Sequence, residues 1–126
     1  MILPKSILIN ENVEINLDLV YEICDNDPSL ITKLAFTFLK TSTNNILKLN
    51  EFFISEDYIQ LKNIAHACKS TLSVFKCSSL YDLMMNIEML AKQKANLSHL
   101  KELVSIATIK YQSMIELLVS ELELIP

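Results

Sequence analysis

The 126-residue sequence contains no glycine and no arginine, and each absence excludes a class of function. Walker-type and dinucleotide-binding loops need glycine where the backbone closely approaches a phosphate, so no common ATP site is expected. Bidentate recognition of bases or phosphates needs arginine, and the net charge of −4 further disfavours nucleic acid as a partner. Any phosphoryl group that this protein handles therefore has to come from another protein.

The remaining composition predicts a single folded domain in a reducing compartment. Apolar residues make up 51% of the chain and prolines number only three, which argues against disorder. Three cysteines, Cys24, Cys68 and Cys77, lack metal-binding spacing and are expected to be buried free thiols. No apolar run approaches the length of a membrane span, and the N-terminus does not resemble a signal peptide. A cytoplasmic location without a membrane span is expected.

Apolar residues recur at helical spacing, and no segment alternates as a half-buried strand does. We predict a tail or linker over residues 1–14 and one domain over residues 15–126. The domain is predicted to be an all-α, up-down four-helix bundle with a short additional helix at the start. The weak helix propensity of residues 41–45 makes them the place where the first long helix would kink or break. The long helices are predicted to begin at Asp27-Pro28, Ser55, Ser79 and Ser98, with Asn96 as a helix stop.

The helix predicted after Ser55 carries His66 on its polar face. At about 100° per residue, Leu61, Cys68 and Leu72 point to the core and His66 lies near the middle of the opposite side. A lone exposed histidine is ordinarily without function, so its neighbours decide the interpretation. An unprotonated imidazole nitrogen can attack phosphorus, and Lys69 on the same face can place its ammonium beside phosphoryl oxygens. The small residues Ser70 and Ser73 leave room for another protein to approach.

The second histidine, His99, is expected to be a solvated residue in the first turn of the last helix. No carboxylate or cysteine spacing supports a metal site that pairs His99 with His66. We therefore predict no metal site.

The segment His66-Ala67-Cys68-Lys69-Ser70 resembles the His-x-x-Lys-Gly/Ser core of histidine phosphotransfer (HPt) domains of bacterial phosphorelays. The resemblance covers roughly residues 17–120, including Asp27-Pro28 at the start of the family's second helix and Ile87-Glu88 in its fourth. Two positions depart from the family pattern. Ser70 stands where glycine is common, and Lys76 stands where a glycine usually ends the helix. The second departure predicts a different turn or a left-handed backbone at Lys76.

The resemblance implies a relay protein without an ATP site of its own, and not an enzyme. His66 would receive a phosphoryl group on Nε2 from a response-regulator receiver domain and pass it to an aspartate of another receiver. Lys69 would balance the phosphoryl charge and Ser70 would permit approach. The receiver would supply Mg²⁺, so the chain would need no cofactor. Partners would be receiver domains, with a hybrid histidine kinase as a further candidate, and the chain is expected to be monomeric.

A docking surface is expected around the histidine. Ile59 lies about 20° from His66 on the same face, where burial does not explain an apolar residue. Met85 and Met89 on the next helix are further candidates, although a wide core stripe would also explain them. The docking residues that we predict on the helix of His66 are Ile59, Lys62, Asn63, Ser70 and Ser73.

Two alternatives share the helical fold. A non-catalytic helical interaction or dimerisation module without phosphotransfer would leave the pairing of His66 with Lys69 unexplained. The dimerisation and phosphoacceptor region of a sensor kinase is disfavoured by the missing ATP-binding sequence and by the lysine at i+3. The sequence does not separate a free-standing protein from the end of a hybrid kinase.

Overall fold

The computed structural model describes residues 13–123, which form five helices and no strand. The four long helices form a ring in which α2 packs on α3, α3 on α4, α4 on α5 and α5 on α2, while the short α1 packs on α2. The predicted all-α bundle with an additional first helix is confirmed. The helices are α1 (Asp18–Ile23), α2 (Pro28–Ile54), α3 (Tyr58–Val74), α4 (Ser78–Gln93) and α5 (Leu97–Leu122).

The start of α2 is as predicted, but the start of α3 is not. The Asp27 carboxylate accepts a hydrogen bond from the backbone N–H of Ser29 at 2.9 Å, and Pro28 occupies the first helical position. Ser55 was predicted to begin the next helix, and this is wrong. Because α2 continues to Ile54, Ser55 ends it, and Asp57 begins α3 by accepting a backbone N–H at 3.2 Å.

The predicted starts at Ser79 and Ser98 are also wrong. Cys77 is the N-cap of α4, and the backbone N–H of Ser79 donates to the carboxylate of Glu14 at 3.1 Å. A side chain distant in sequence thus accepts one of the backbone N–H groups at the start of α4. Asn96 begins α5 by accepting a backbone N–H at 3.4 Å, so it acts as an N-cap and not as the stop of α4.

Of the kink or break predicted within residues 41–45, the break does not occur, since α2 is continuous through this stretch. Ser42 and Asn45 are buried on the core side of the helix. The Thr43 hydroxyl donates to the carbonyl one turn before it, at 3.1 Å. Tertiary packing therefore outweighs the weak propensity of these residues.

A chain without glycine makes its tight turns with residues that carry a side chain. Lys76 ends α3 in the left-handed region at φ 56°, which confirms the conformation predicted for it. Lys94 at φ 50° ends α4 in the same way. For a residue with a Cβ atom this conformation costs about 1–2 kcal/mol relative to the right-handed region. The residues with positive φ in the described part of the chain are Asp25, Asn26, Glu56, Lys76, Lys94 and Asn96.

The segment before α1 packs on the bundle from residue 13 onward. Val13, Ile15 and Leu17 are partly buried against the core, and the backbone N–H of Asn16 donates to the Phe75 carbonyl at 3.0 Å. Most of the predicted tail, residues 1–12, lies outside the described residues, as do residues 124–126 at the C-terminus.

Helical stripes from all five helices meet in one core. Phe38 of α2 stacks on Phe75 at the end of α3, with ring centroids 4.0 Å apart. Cys24, Cys68 and Cys77 are buried free thiols, as predicted. Burial, with a smaller contribution from the charge of Glu14, raises the pKa of Cys77 to about 12, so this thiol is not a nucleophile at neutral pH.

By length and composition alone, α5 could cross a membrane, with a mean hydropathy of 1.2 over its most apolar window. Within the bundle, 39% of that window is buried. The expectation that the chain does not span a membrane stays a prediction. The buried apolar residues of α5 are Leu100, Leu103, Val104, Ala107, Tyr111, Met114 and Leu118.

Candidate functional site

The packing of α3 determines where His66 lies. Leu61, Ala65, Cys68 and Leu72 are buried and hold one face of the helix against the core. On the opposite side the His66 side chain is 68% exposed. The predicted position of His66 on the outer face of this helix is confirmed. The residue is accessible to another protein.

Glu88 of α4 contacts both His66 and Lys69, the two ionisable side chains predicted to carry out the transfer. One oxygen of its carboxylate, Oε2, lies 2.7 Å from Nδ1 of His66. The other, Oε1, lies 2.7 Å from Nζ of Lys69. A single carboxylate thus fixes the imidazole and the ammonium relative to each other. Glu88 was not among the predicted site residues.

The position of Glu88 follows from how α4 packs. Met84, Ile87 and Ala91 are buried, and Glu88 lies next to this stripe on the side facing α3. His66 and Glu88 are 22 residues apart on opposite sides of a short connection, so antiparallel helices bring them together. An acidic residue about as far after the connection between α3 and α4 as His66 lies before it is the sequence signal that could have identified Glu88.

The ionisation of Glu88 decides which nitrogen of His66 carries the proton. Partial burial tends to raise the pKa of Glu88, but hydrogen bonds from Lys69 and His66, together with their charges, outweigh it and lower the pKa. An ionised carboxylate only accepts hydrogen bonds, so Nδ1 of His66 must be the donor. In the neutral imidazole, the free lone pair is therefore on Nε2.

Lys69 is held beside the histidine and remains charged. Its side chain is only 19% exposed. The hydrogen bond to Glu88 raises the pKa of Lys69, partial desolvation opposes the shift, and the charges of Glu88 and Tyr81 add to it. Its Nζ also lies 6.0 Å from the ring centroid of Tyr81, at the outer limit of a cation–π contact.

His66 and Lys69 line a cleft between α3 and α4 together with Ser70, Ser73 and Tyr81. The Ser70 hydroxyl donates to a carbonyl of its own helix at 3.3 Å, so it is turned toward the backbone. The two serines leave the space above the imidazole open. Tyr81 was not predicted, because its place in the cleft depends on how α4 packs against α3.

The other predicted docking residues are accessible to different degrees. Ile59 is 65% exposed, Asn63 and Ser73 are exposed, and Lys62 is half-buried. On α4, Met85 is 47% and Met89 48% exposed, so the alternative that they belong to a wide core stripe is wrong. Helical projection places Met85 about 60° from Glu88, on the outer side of α4. The exposed surface beside His66 is therefore partly apolar.

His99 lies apart from the cleft, at the start of α5. Its Nδ1 is 3.9 Å from the Glu102 carboxylate one turn later, and both side chains are largely exposed. The prediction of a solvated residue is confirmed. Within residues 13–123, no group of three or more histidine, cysteine, aspartate or glutamate side chains is arranged to hold a metal ion.

Comparisons of the chain with protein-family models, with curated proteins and with solved structures gave no significant match.

Proposed function

We propose that this protein is a histidine phosphotransfer protein of two-component signal transduction. His66 accepts a phosphoryl group from an aspartyl phosphate of one receiver domain and gives it to an aspartate of another. The observation that carries the proposal is the contact between Glu88 and Nδ1 of His66, because it leaves Nε2 as the free nucleophile on an exposed ring.

In the first step, the lone pair of Nε2 attacks the phosphorus atom of the aspartyl phosphate. The N–P bond forms, the bond between phosphorus and the aspartate oxygen breaks, and the aspartate leaves as a carboxylate. The imidazole ring becomes positively charged as long as Nδ1 keeps its proton. The Glu88 carboxylate, 2.7 Å from Nδ1, stabilises that charge. The return step reverses these bond changes on a second receiver.

Lys69 supports the same transfer by electrostatics. Its ammonium has three N–H donors, and the bond to Oε1 of Glu88 uses one. The others are available to phosphoryl oxygens that enter the cleft beside His66. Ser70 and Ser73 admit the active site of the receiver, which supplies Mg²⁺ and the acidic pocket. In this proposal the chain needs no ATP site and no cofactor of its own. It is a relay intermediate and not an enzyme, and it acts in the cytoplasm.

Transfer of label from a receiver tests the proposal. Receiver domains charged with radiolabelled acetyl phosphate would be incubated with the full chain, and protein-bound label would be tested for the acid lability and alkali stability of phosphohistidine. We expect label on the chain and its loss in His66→Ala. The matched control is His99→Ala, which removes the other histidine of the chain and should keep the label.

Two results would overturn the proposal: no label from any receiver tested, or label that persists in His66→Ala. A folded chain that binds receivers without accepting label would favour the alternative, a helical interaction module without phosphotransfer. Circular dichroism of each variant separates loss of transfer from loss of the fold.

A further inference from the structure

One face of α2 carries an apolar stripe on the side that points away from the core. Phe36, Leu47 and Ile54 are 61%, 64% and 79% exposed. They are spaced 11 and 7 residues apart, so at about 100° per residue they lie within about 20° of one line along the helix. Large apolar side chains aligned at the most exposed positions of a helix indicate an interaction surface. The buried residues on the opposite side are Ile31, Ala35, Phe38, Ser42, Asn45 and Leu49.

Charged residues lie beside this stripe on one flank, with Lys33 and Lys40 toward the start of α2 and Glu51 toward its end. Helical projection places Lys40 about 40° and Glu51 about 60° from Phe36. Both side chains are exposed. No salt bridge joins either of them to another residue in the described part of the chain. The stripe therefore has a cation near one end and an anion near the other.

This pattern is complementary to itself when two α2 helices pack antiparallel. With a two-fold axis near residue 45, Phe36 of one copy faces Ile54 of the other, and Lys40 faces Glu51. Each apolar end then meets an apolar end, and Lys40 and Glu51 form two equivalent pairs of opposite charge. The two Leu47 side chains lie about 6 Å apart along the helix axis and contact each other across the two-fold axis. In a parallel two-fold pairing the two copies of this flank would lie on opposite sides of the interface, and Lys40 would not face Glu51.

We propose that α2 is a self-association surface through which two copies of this chain form a two-fold dimer. This departs from the monomer expected from the sequence. In the ring of helices, α2 packs on α3 and α5 and lies diagonally across from α4. The dimer therefore leaves the cleft between α3 and α4 open, with one His66 accessible in each copy.

Sedimentation velocity of the full chain over a range of concentrations tests the proposal. We expect a reversible monomer–dimer equilibrium in the unmodified protein. Leu47→Glu places two carboxylates against each other at the axis, and we expect the dissociation constant to rise at least about tenfold. The matched control is Met89→Glu, which changes an exposed apolar residue on α4 and should leave the equilibrium unchanged.

A charge exchange tests the antiparallel arrangement itself. Lys40→Glu alone and Glu51→Lys alone should each weaken the dimer, and the double variant should restore it. A chain that stays monomeric at every concentration overturns the proposal. Failure of the double variant to restore association, or a Met89→Glu effect as large as that of Leu47→Glu, overturns it as well. Circular dichroism confirms that each variant is folded.

Discussion

Glu88 lies 2.7 Å from Nδ1 of His66, and its second oxygen lies at the same distance from the ammonium of Lys69. This relationship turns an exposed histidine into a ring of fixed orientation, with its proton on the inner nitrogen. The carboxylate also places a cation beside the ring.

Removing the charge of Glu88 should slow transfer without preventing it. In Glu88→Gln the amide no longer requires the proton to be on Nδ1, and it does not stabilise a positive ring. We expect the rate of phosphoryl transfer from a charged receiver to fall about ten- to hundredfold, by analogy with the loss of a partner that orients a histidine. A ¹H–¹⁵N NMR spectrum of the ring should show a more mixed tautomer population.

The control for this variant is Glu102→Gln, since Glu102 forms the other contact between a histidine and a glutamate, at His99. It should transfer at the unmodified rate. Equal rates for Glu88→Gln and the unmodified chain would show that the carboxylate does not position the ring.

The interaction between Glu88 and Lys69 should stabilise the fold over a limited pH range. The pKa of Glu88 is lowered from its ordinary value of 4.5, so its contribution is complete above that pH and is lost as the pH falls through the folded-state value. The pKa of Lys69 is raised from 10.5, so its contribution is complete below that pH and is lost as the pH rises through the folded-state value.

Urea unfolding of the unmodified chain and of Glu88→Gln checks the direction of this pH dependence. The difference in the free energy of unfolding should be present at about pH 7 and should shrink at about pH 3. A difference that stays constant or grows on acidification contradicts the lowered pKa of Glu88.

Lys76→Gly should stabilise the protein, although it removes a side chain. Lys76 has a φ of 56°, which glycine adopts without the steric cost of a Cβ atom. We expect the free energy of unfolding to rise by about 1 kcal/mol. Lys101→Gly, in the interior of α5, is the matched control and should lower it by about 1 kcal/mol. If both changes destabilise the protein, the left-handed turn at Lys76 is wrong.

Tyr111→Phe should also stabilise the protein, for a different reason. Tyr111 is fully buried, and its hydroxyl lies beside the side chains of Cys68 and Asn45 without a hydrogen bond of normal geometry to either. Removing a buried hydroxyl without a partner removes its desolvation penalty, so we expect the free energy of unfolding to rise by about 1 kcal/mol. Loss of stability in this variant, measured by urea unfolding, would mean that the hydroxyl is hydrogen-bonded in solution.

A charge at Ile59 should weaken transfer by weakening docking. Ile59 is 65% exposed, so Ile59→Glu should leave the free energy of unfolding within about 0.5 kcal/mol of its original value. We expect the transfer rate at a limiting receiver concentration to fall about tenfold, and to recover at saturating receiver. Ile23→Glu, at a position on α1 that is 57% exposed, should have no effect on transfer.

The sequence predicted the features of the fold and the site that depend on a single helix. The face of α3 that carries His66, and the residues Lys69, Ser70 and Ser73 beside it, follow from a repeat of 3.6 residues. The left-handed backbone at Lys76 was one of two outcomes predicted from the resemblance to HPt domains, which usually have glycine at this position. These features are local, and neighbouring helices do not change them.

What the sequence did not predict depends on how the helices pack. Glu88 and Tyr81 reach the cleft only because α4 returns antiparallel to α3. Likewise, the carboxylate of Glu14 reaches the start of α4 because the first segment packs beside it. The helix starts predicted at serines were wrong for a related reason, since Asp57, Asn96 and the distant Glu14 accept the backbone N–H groups at these helix starts.

The most direct test of the central claim is to locate the phosphoryl group on the full chain after incubation with a charged receiver. A ¹H–¹⁵N spectrum of the histidine side chains, with coupling to ³¹P, identifies both the residue and the nitrogen. We predict phosphorus on Nε2 of His66, with Nδ1 still protonated and His99 unchanged. An unmodified His66, or phosphorus on Nδ1 or on His99, would contradict the claim.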